Sequence, residues 1–160
     1  MLMTLPSPKA LKDVVDGLLG RDVVFRPEDV PMSSVDSIGG VVAVYVDDAR
    51  RPRAVLGWDL PAAARAGTAF ALIPARMAEE IIADRYLPAD VVESVYELSN
   101  VIAGALYFGD NPHLRLDELC HPAAALPDEL AQALYTHFER LDFVIEVPGY
   151  GPGRIALVAV

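Results

Sequence analysis

The chain has 160 residues, a formal net charge of −10, a pI near 4.6, 53% hydrophobic residues and a mean hydropathy of +0.31. This length suits one domain over residues 1–160, able to bury about 70% of the surface its unfolded form would expose. The acidic balance argues against a nucleic-acid or anionic-lipid surface, because phosphate binding needs clustered Lys and Arg. No apolar run reaches the eighteen or so residues of a membrane span, the lone Cys120 cannot bridge internally, and the start lacks a secretory signal's basic and apolar regions. Together these features predict a cytoplasmic protein.

In chain order, Ser7 and Pro8 predict the cap and first residue of a helix running to Leu19. Its apolar face is Leu11, Val14, Val15, Leu18 and Leu19, and Gly20 is its stop. Val23 to Phe25 predicts a strand ended by Pro27, and Val41 to Val46, β-branched with Tyr45, a clearer one. Asp47 to Pro52 reads as a turn, Arg53 to Leu60 as the returning strand with Trp58 packed into the core, and Thr68 to Ile73 as the next strand. Three such strands imply an antiparallel meander. Pro61 to Gly67 is either a loop or a single helical turn. Arg50, Arg51 and Arg53 form a basic cluster that reads as a solvated hairpin turn.

After Pro74, Ala75 to Arg85 predicts a helix with Met77, Ile81 and Ile82 apolar. A short link then leads into a second helix over Leu87–Phe108, the two lying side by side. Gly109-Asp110-Asn111-Pro112 is a turn, His113 to Leu119 an alternating strand, and Pro127-Asp128 the start of a helix burying Leu130, Ala133, Leu134 and Phe138. Leu141 to Val147 and Arg154 to Val160 predict two strands around a glycine-rich hairpin tip. That tip lacks the lysine and following helix of a phosphate loop. The almost wholly apolar Ile155 to Val160 is either buried on both faces or paired with another strand; at a sheet edge it would pair with a second chain and give a dimer.

Most other chemistries find no support. His113, His121 and His137 match no local metal spacing, no nucleophile elbow or dinucleotide-binding glycine pattern is present, and Cys120 beside His121 reads as a buried inert thiol.

The helix over Leu87–Phe108 carries the chemistry. Asp90 is its expected N-cap, and Val91, Val95, Leu98, Ile102 and Ala105 recur at helical steps as the core face. A second stripe, Glu93, Glu97, Asn100 and Gly104, runs beside it. Glu97 and Asn100 are neighbours one turn apart, a carboxylate able to bind a cation and a carboxamide able to orient a water. Neither is a strong nucleophile, so the chemistry is positioning rather than covalent attack. Gly104, lacking a side chain, allows close approach of a partner loop or a neighbouring helix.

Glu-Leu-Ser-Asn-Val-Ile-Ala-Gly, residues 97–104, resembles the Glu-x-x-Asn signature with its following Ile-Ala-Gly in the CheC/CheX/FliY family of chemotaxis phosphatases, most like a CheX-type domain. The order of elements from residue 68 to 108 is similar too. The resemblance implies a CheC-like α+β fold, a mostly antiparallel sheet with helices packed on one face. It also implies a phosphatase acting on the aspartyl phosphate of a CheY-like receiver domain in chemotaxis or two-component signalling. Asn100 would orient the attacking water, Glu97 would contact a cationic residue of the receiver, and Glu93 and Gly104 would face that partner. The chain would need no cofactor of its own, the Mg²⁺ belonging to the receiver, and homodimers occur among such proteins. Two departures stand out: Glu93 occupies a position often Asp or Ser, and Pro122 comes one residue before the usual proline. The first helix reads Asp13-Val14-Val15-Asp16 with no asparagine, so one site per chain is expected. The alternative is a non-catalytic receiver-binding or oligomerisation module on the same fold.

Overall fold

The computed structural model describes residues 3–32, 39–121, 125–136 and 139–160. Among them, strands β1 (Val24–Pro27), β2 (Val41–Val46), β3 (Pro52–Trp58), β4 (Arg115–Cys120), β5 (Arg140–Val147) and β6 (Gly151–Ala159) form one sheet in the order β1-β5-β6-β3-β2-β4. Every neighbouring pair is antiparallel. With helices α1 (Pro8–Leu19), α2 (Leu60–Phe70), α3 (Ala75–Asp84), α4 (Ala89–Ile102) and α5 (Asp128–Thr136), the class is α+β, as expected.

Helix α1 begins and ends where its sequence says. Ser7 Oγ accepts the Ala10 N–H at 3.1 Å, Pro8 sits in the first turn, and Gly20, at φ +63°, donates its N–H to the Asp16 carbonyl. The acids that stand where a second signature would be are structural. Asp13 pairs with Lys9 and Asp16 with Lys12, each at 2.6 Å, and Asp16 also accepts the Val23 N–H.

The largest correction lies between residues 59 and 73, where Pro61 to Gly67, expected as a loop or a single helical turn, and the start of the expected strand from Thr68 are one helix, α2. Asp59 Oδ1 caps it by accepting the Ala62 N–H at 2.8 Å, and Pro61 and a run of alanines, the best helix formers, carry it through. Thr68, whose β-branch suggested a strand, folds its hydroxyl back onto the Ala64 carbonyl at 2.7 Å. The helix stops with Leu72 at φ +58° while the Ile73 N–H bonds the Thr68 carbonyl, a closure in which glycine usually takes the left-handed position. The meander therefore reduces to the β2–β3 hairpin.

Helix α2 is the hub of its layer. Its start is riveted to β6, since Asp59 Oδ1 also accepts the Arg154 N–H at 3.0 Å, and a Cβ on Gly153 would overlap the Ala62 backbone. Helices α3 and α4 each pack mainly on α2 rather than side by side as expected. In α3, Ala78 and Ile81 are the buried residues, while Met77 is exposed.

Helices α1 to α4 cover one face of the sheet over a core that includes Tyr45, Leu56, Trp58, Leu98 and Ile155. Helix α5 lies on the other face, where Leu134 closes a smaller core with Met32, Val44, Val55 and Val158. The expected placement of helices on one face thus holds for four of the five. Phe138, expected to be buried with Leu134, lies outside the described residues.

Strand β6 is internal, paired with β3 and β5 and buried on both faces, which accounts for its apolar composition. It is no edge, so the expected route to a dimer through its pairing with a second chain is closed. The edges are β1 and β4. No helix among the described residues is long and apolar enough to cross a membrane. The basic turn is tied down: Arg51 and Arg53 bond Asp47 at 3.1 and 3.2 Å, and Arg50 pairs with Asp117. Cys120 is a buried free thiol, its pKa pushed up first by burial and then by Glu118.

Candidate functional site

Helix α4 is capped two residues earlier than expected. Pro88 is the N-cap, its carbonyl accepting the Val91 and Val92 N–H groups at 3.1 and 3.0 Å. Asp90 is therefore inside the first turn, where its Oδ1 accepts the Val91 N–H at 3.0 Å and its charge complements the positive end of the helix. Past Ile102 the helix tightens into a 3-10 turn, Ala103–Leu106.

The rotation of α4 about its axis is fixed from below. Val91, Val95, Leu98 and Ile102 are buried as expected, with Ala105 half-buried. Ser99, fully buried, adds two polar bonds to the sheet: its Oγ accepts the Trp58 Nε1–H at 3.1 Å, and its carbonyl accepts the Tyr45 hydroxyl at 2.7 Å. Burial raises the pKa of the Tyr45 phenol far above its usual value, so it stays a donor. With 3.6 residues per turn, pinning Ser99 inward places its neighbours Glu97 and Asn100 outward. Ser99 escaped the sequence reading. The signal was indirect: buried Trp and Tyr each need a partner for their polar tip.

The expected site residues do come together as one outward stripe. Glu93, Glu97, Asn100 and Gly104 are all exposed. The Glu97 and Asn100 side chains make no hydrogen bond or ion pair with any described residue. A Cβ placed on Gly104 would meet nothing within 4 Å, so this glycine opens space at the surface rather than packing against a neighbouring helix. Exposed apolar side chains accompany the stripe, Tyr96 and Val101 on α4 and Tyr107 and Phe108 just after the 3-10 turn.

Two open clefts divide the stripe electrostatically. One, about 290 Å³, is lined by Phe70, Ala71, Asp90, Glu93, Ser94 and Glu97, three carboxylates with no cation among them. The other, about 360 Å³, is lined by Asn100, Ala103, Gly104, Tyr107, His113, Leu114 and Arg115, with no carboxylate among them. Next to the lining residue Tyr107, the chain is tied at Leu106 by Asn111, which sequence reasoning assigned only to a turn. The Asn111 amide donates to the carbonyls of Thr4 and Leu106 at 2.8 and 2.9 Å, and its Oδ1 accepts the Thr4 N–H at 2.8 Å. A larger cleft of about 630 Å³ lies between residues 3–6 and the start of β5 and includes none of the stripe.

No group of three or more His, Cys, Asp or Glu among the described residues is arranged to hold a metal ion. Pro122 and His137 lie outside the described residues. Arg76 and Arg85 are exposed on and just after α3.

No protein-family model matches the chain, and no curated protein matches it by sequence. Solved structures do match. FliM in its complex with SpeE from H. pylori superposes with a TM-score of 0.63 at 11% identity, over 94% of this chain and 80% of that one. FliY from Thermotoga maritima gives 0.53 at 16% identity, over 93% and 81% of the two chains. The structure of a complex of CheX with CheY, BeF3 and Mg²⁺ from Borrelia burgdorferi gives 0.52 at 12% identity, over 94% and 93%. The fold of this chain is therefore CheC/CheX/FliY-like.

Proposed function

We propose that this chain is a phosphatase for the aspartyl phosphate of a CheY-like receiver domain. The observation that carries this reading is that Glu97 and Asn100 stand one turn apart on the outer face of α4, unpartnered, on a helix whose rotation Ser99 locks to the sheet. The similarity to a CheX held with CheY supports the choice of partner.

The chemistry asked of the chain is modest. In-line attack of water on a phosphoryl group needs little covalent help and gains most from a correctly held nucleophile. The Asn100 carboxamide accepts a hydrogen bond from water through its oxygen and donates one through its nitrogen, so it can fix both water and phosphoryl oxygen. Glu97, one turn back in the acidic cleft, meets a cation of the receiver and sets the register in which Asn100 enters. The Mg²⁺ that balances the phosphoryl charge is the receiver's, and the chain supplies no cofactor of its own. The exposed Tyr96, Val101, Tyr107 and Phe108 give the short-range fit that two acidic bodies need once they are inside a Debye length of about 8 Å.

The test is the lifetime of the aspartyl phosphate on receivers of the source organism. Wild-type protein should shorten it, and Asn100→Ala should lose about 100-fold or more of that acceleration while still binding. Glu97→Ala should weaken binding itself.

A second reading, a receiver-binding module without turnover, is favoured by one observation. Glu93 adds a third carboxylate to the cleft beside Glu97, which holds no cation of its own. Complex formation with an unchanged phosphate lifetime would select it.

A further inference from the structure

We propose that the cleft beside Asn100 is an oxyanion subsite and that His113 is the residue that gives it charge, contacting the phosphoryl oxygens. This rests on the phosphatase reading and deepens it, because it assigns a group outside the helix to the same reaction.

The imidazole of His113 lies edge-on to the Tyr107 ring, with centroids 5.7 Å apart and planes at 80°, and it lines the same cleft as Asn100 and Gly104. Its side chain is 64% exposed, so a ligand can reach it without moving the core. Asp48 stands beside the ring, its Oδ1 3.7 Å from Nδ1 and its side chain 86% exposed, leaving that carboxylate in water to be screened. The remaining titratable groups of the cleft are the Tyr107 hydroxyl and Arg115. Arg115 makes no ion pair with any described residue.

In a chain of net charge −10, a recess that gathers an imidazole, a guanidinium-bearing residue and a carboxamide, with no carboxylate in its lining, selects for anions. The open space over Gly104 is where the anion sits. Asn100 reaches it from the helix, and His113 from the loop that enters β4. Protonated, both imidazole nitrogens donate; one can face Asp48 while the other faces the phosphoryl oxygens. An anion favours the protonated ring, so the charge on the ring and the occupancy of the recess support each other.

The phosphoryl group carries its negative charge both before and during transfer, so the contact acts on ground state and transition state alike. The effect of losing it therefore falls on KM rather than kcat. For His113→Gln we expect KM for the phosphorylated receiver to rise about tenfold at pH 6, the weight of one charge-assisted hydrogen bond, with kcat nearly unchanged. In His113→Lys, which keeps a positive charge, KM should stay near the wild-type value. Independently of turnover, inorganic phosphate titrated into the free protein should shift the His113 ring and Gly104 amide NMR signals. Gly104→Leu, which fills the recess, should abolish those shifts.

If phosphate leaves the His113 ring unmoved and His113→Gln keeps the wild-type KM, the assignment fails, and a turnover still sensitive to Asn100 leaves the phosphatase intact. If phosphate binds at His113 while no receiver is dephosphorylated, the anion subsite stands and the phosphatase reading falls.

Discussion

Ser99 shows how a residue can serve a site it never enters. Its hydroxyl and carbonyl hold Trp58 and Tyr45 in the dry interior, and by doing so they aim Asn100 at the outside. Ser99→Ala should cost about 1–3 kcal/mol in denaturant unfolding, since the buried Trp58 N–H is left without its acceptor. Turnover should fall further than that loss alone explains, because the helix face is then less firmly set. Leu72 invites a different substitution. It is 81% exposed and holds a left-handed backbone that suits glycine, so Leu72→Gly should raise stability by up to about 1 kcal/mol in the same assay. A further loss of receiver affinity in that variant would identify Leu72 as part of the docking rim beside the acidic cleft. At Gly104 the gain comes without strain: Gly104→Ala meets no neighbour within 4 Å and should stabilise the turn by about 0.5–1 kcal/mol while narrowing the recess.

Between elements, the contact that places the signature helix is the crossing of α2 and α4 at Gly67. A Cβ there would stand 2.8 Å from Val91 Cγ1 and 3.2 Å from the Val91 carbonyl oxygen, and a backbone atom cannot swing aside. Gly67→Ala should therefore force the helices apart and destabilise the fold by about 1–3 kcal/mol, visible as a lowered midpoint of chemical unfolding. This crossing also explains what the sequence did and did not reveal. The stripe Glu93, Glu97, Asn100 and Gly104 was legible because helical spacing is local, as were α1 with its Ser7 and Gly20 boundaries and the β2–β3 hairpin. Helix α2 was not, because Leu72 took the place of the glycine that marks most helix ends, and Thr68 and Ile73 gave a strand-like composition whose correction lay in a hydroxyl folding back along the helix. The position of β6 in mid-sheet was hidden for another reason. Strand order is settled by pairings between distant segments, and an apolar strand reads the same at an edge as at the centre. Ser99 and Asn111 act through partners more than fifty residues away, Tyr45 and Thr4, beyond the reach of periodicity.

Across the whole molecule, charge sets the conditions under which the chain works. Asp47 gathers the β2–β3 turn. The Arg51 backbone N–H, followed by the Arg53 and Arg51 side chains, holds its pKa below the ordinary carboxylate value of 3.8, against the opposing pull of burial. A carboxyl depressed in the fold contributes stability that is complete above its unfolded value and disappears as pH falls through its folded value. Asp47→Asn should thus be less stable than wild type at neutral pH, and the two should converge in acid once the pH has fallen through the folded value, as followed by circular dichroism across an acid titration. The charge of −10 acts at longer range. If the receiver is also acidic, added salt should speed encounter by screening mutual repulsion, while weakening the short-range Glu97 contact. Stopped-flow association at two ionic strengths should therefore show on- and off-rates rising together.

The Asn111 amide has a mechanical consequence. It grips Thr4 in both directions and the Leu106 carbonyl with its remaining hydrogen, so residues 3–6 and the chain beside the Asn100 recess are laced at one point. Tension applied at the amino-terminal strand of the lacing, by a fused partner or a tether, would be felt first at Leu106 and Tyr107, five residues or fewer from the knot. An upstream attachment is in this sense a handle on the recess, and Asn111→Ala would cut the cord while leaving both ends in place.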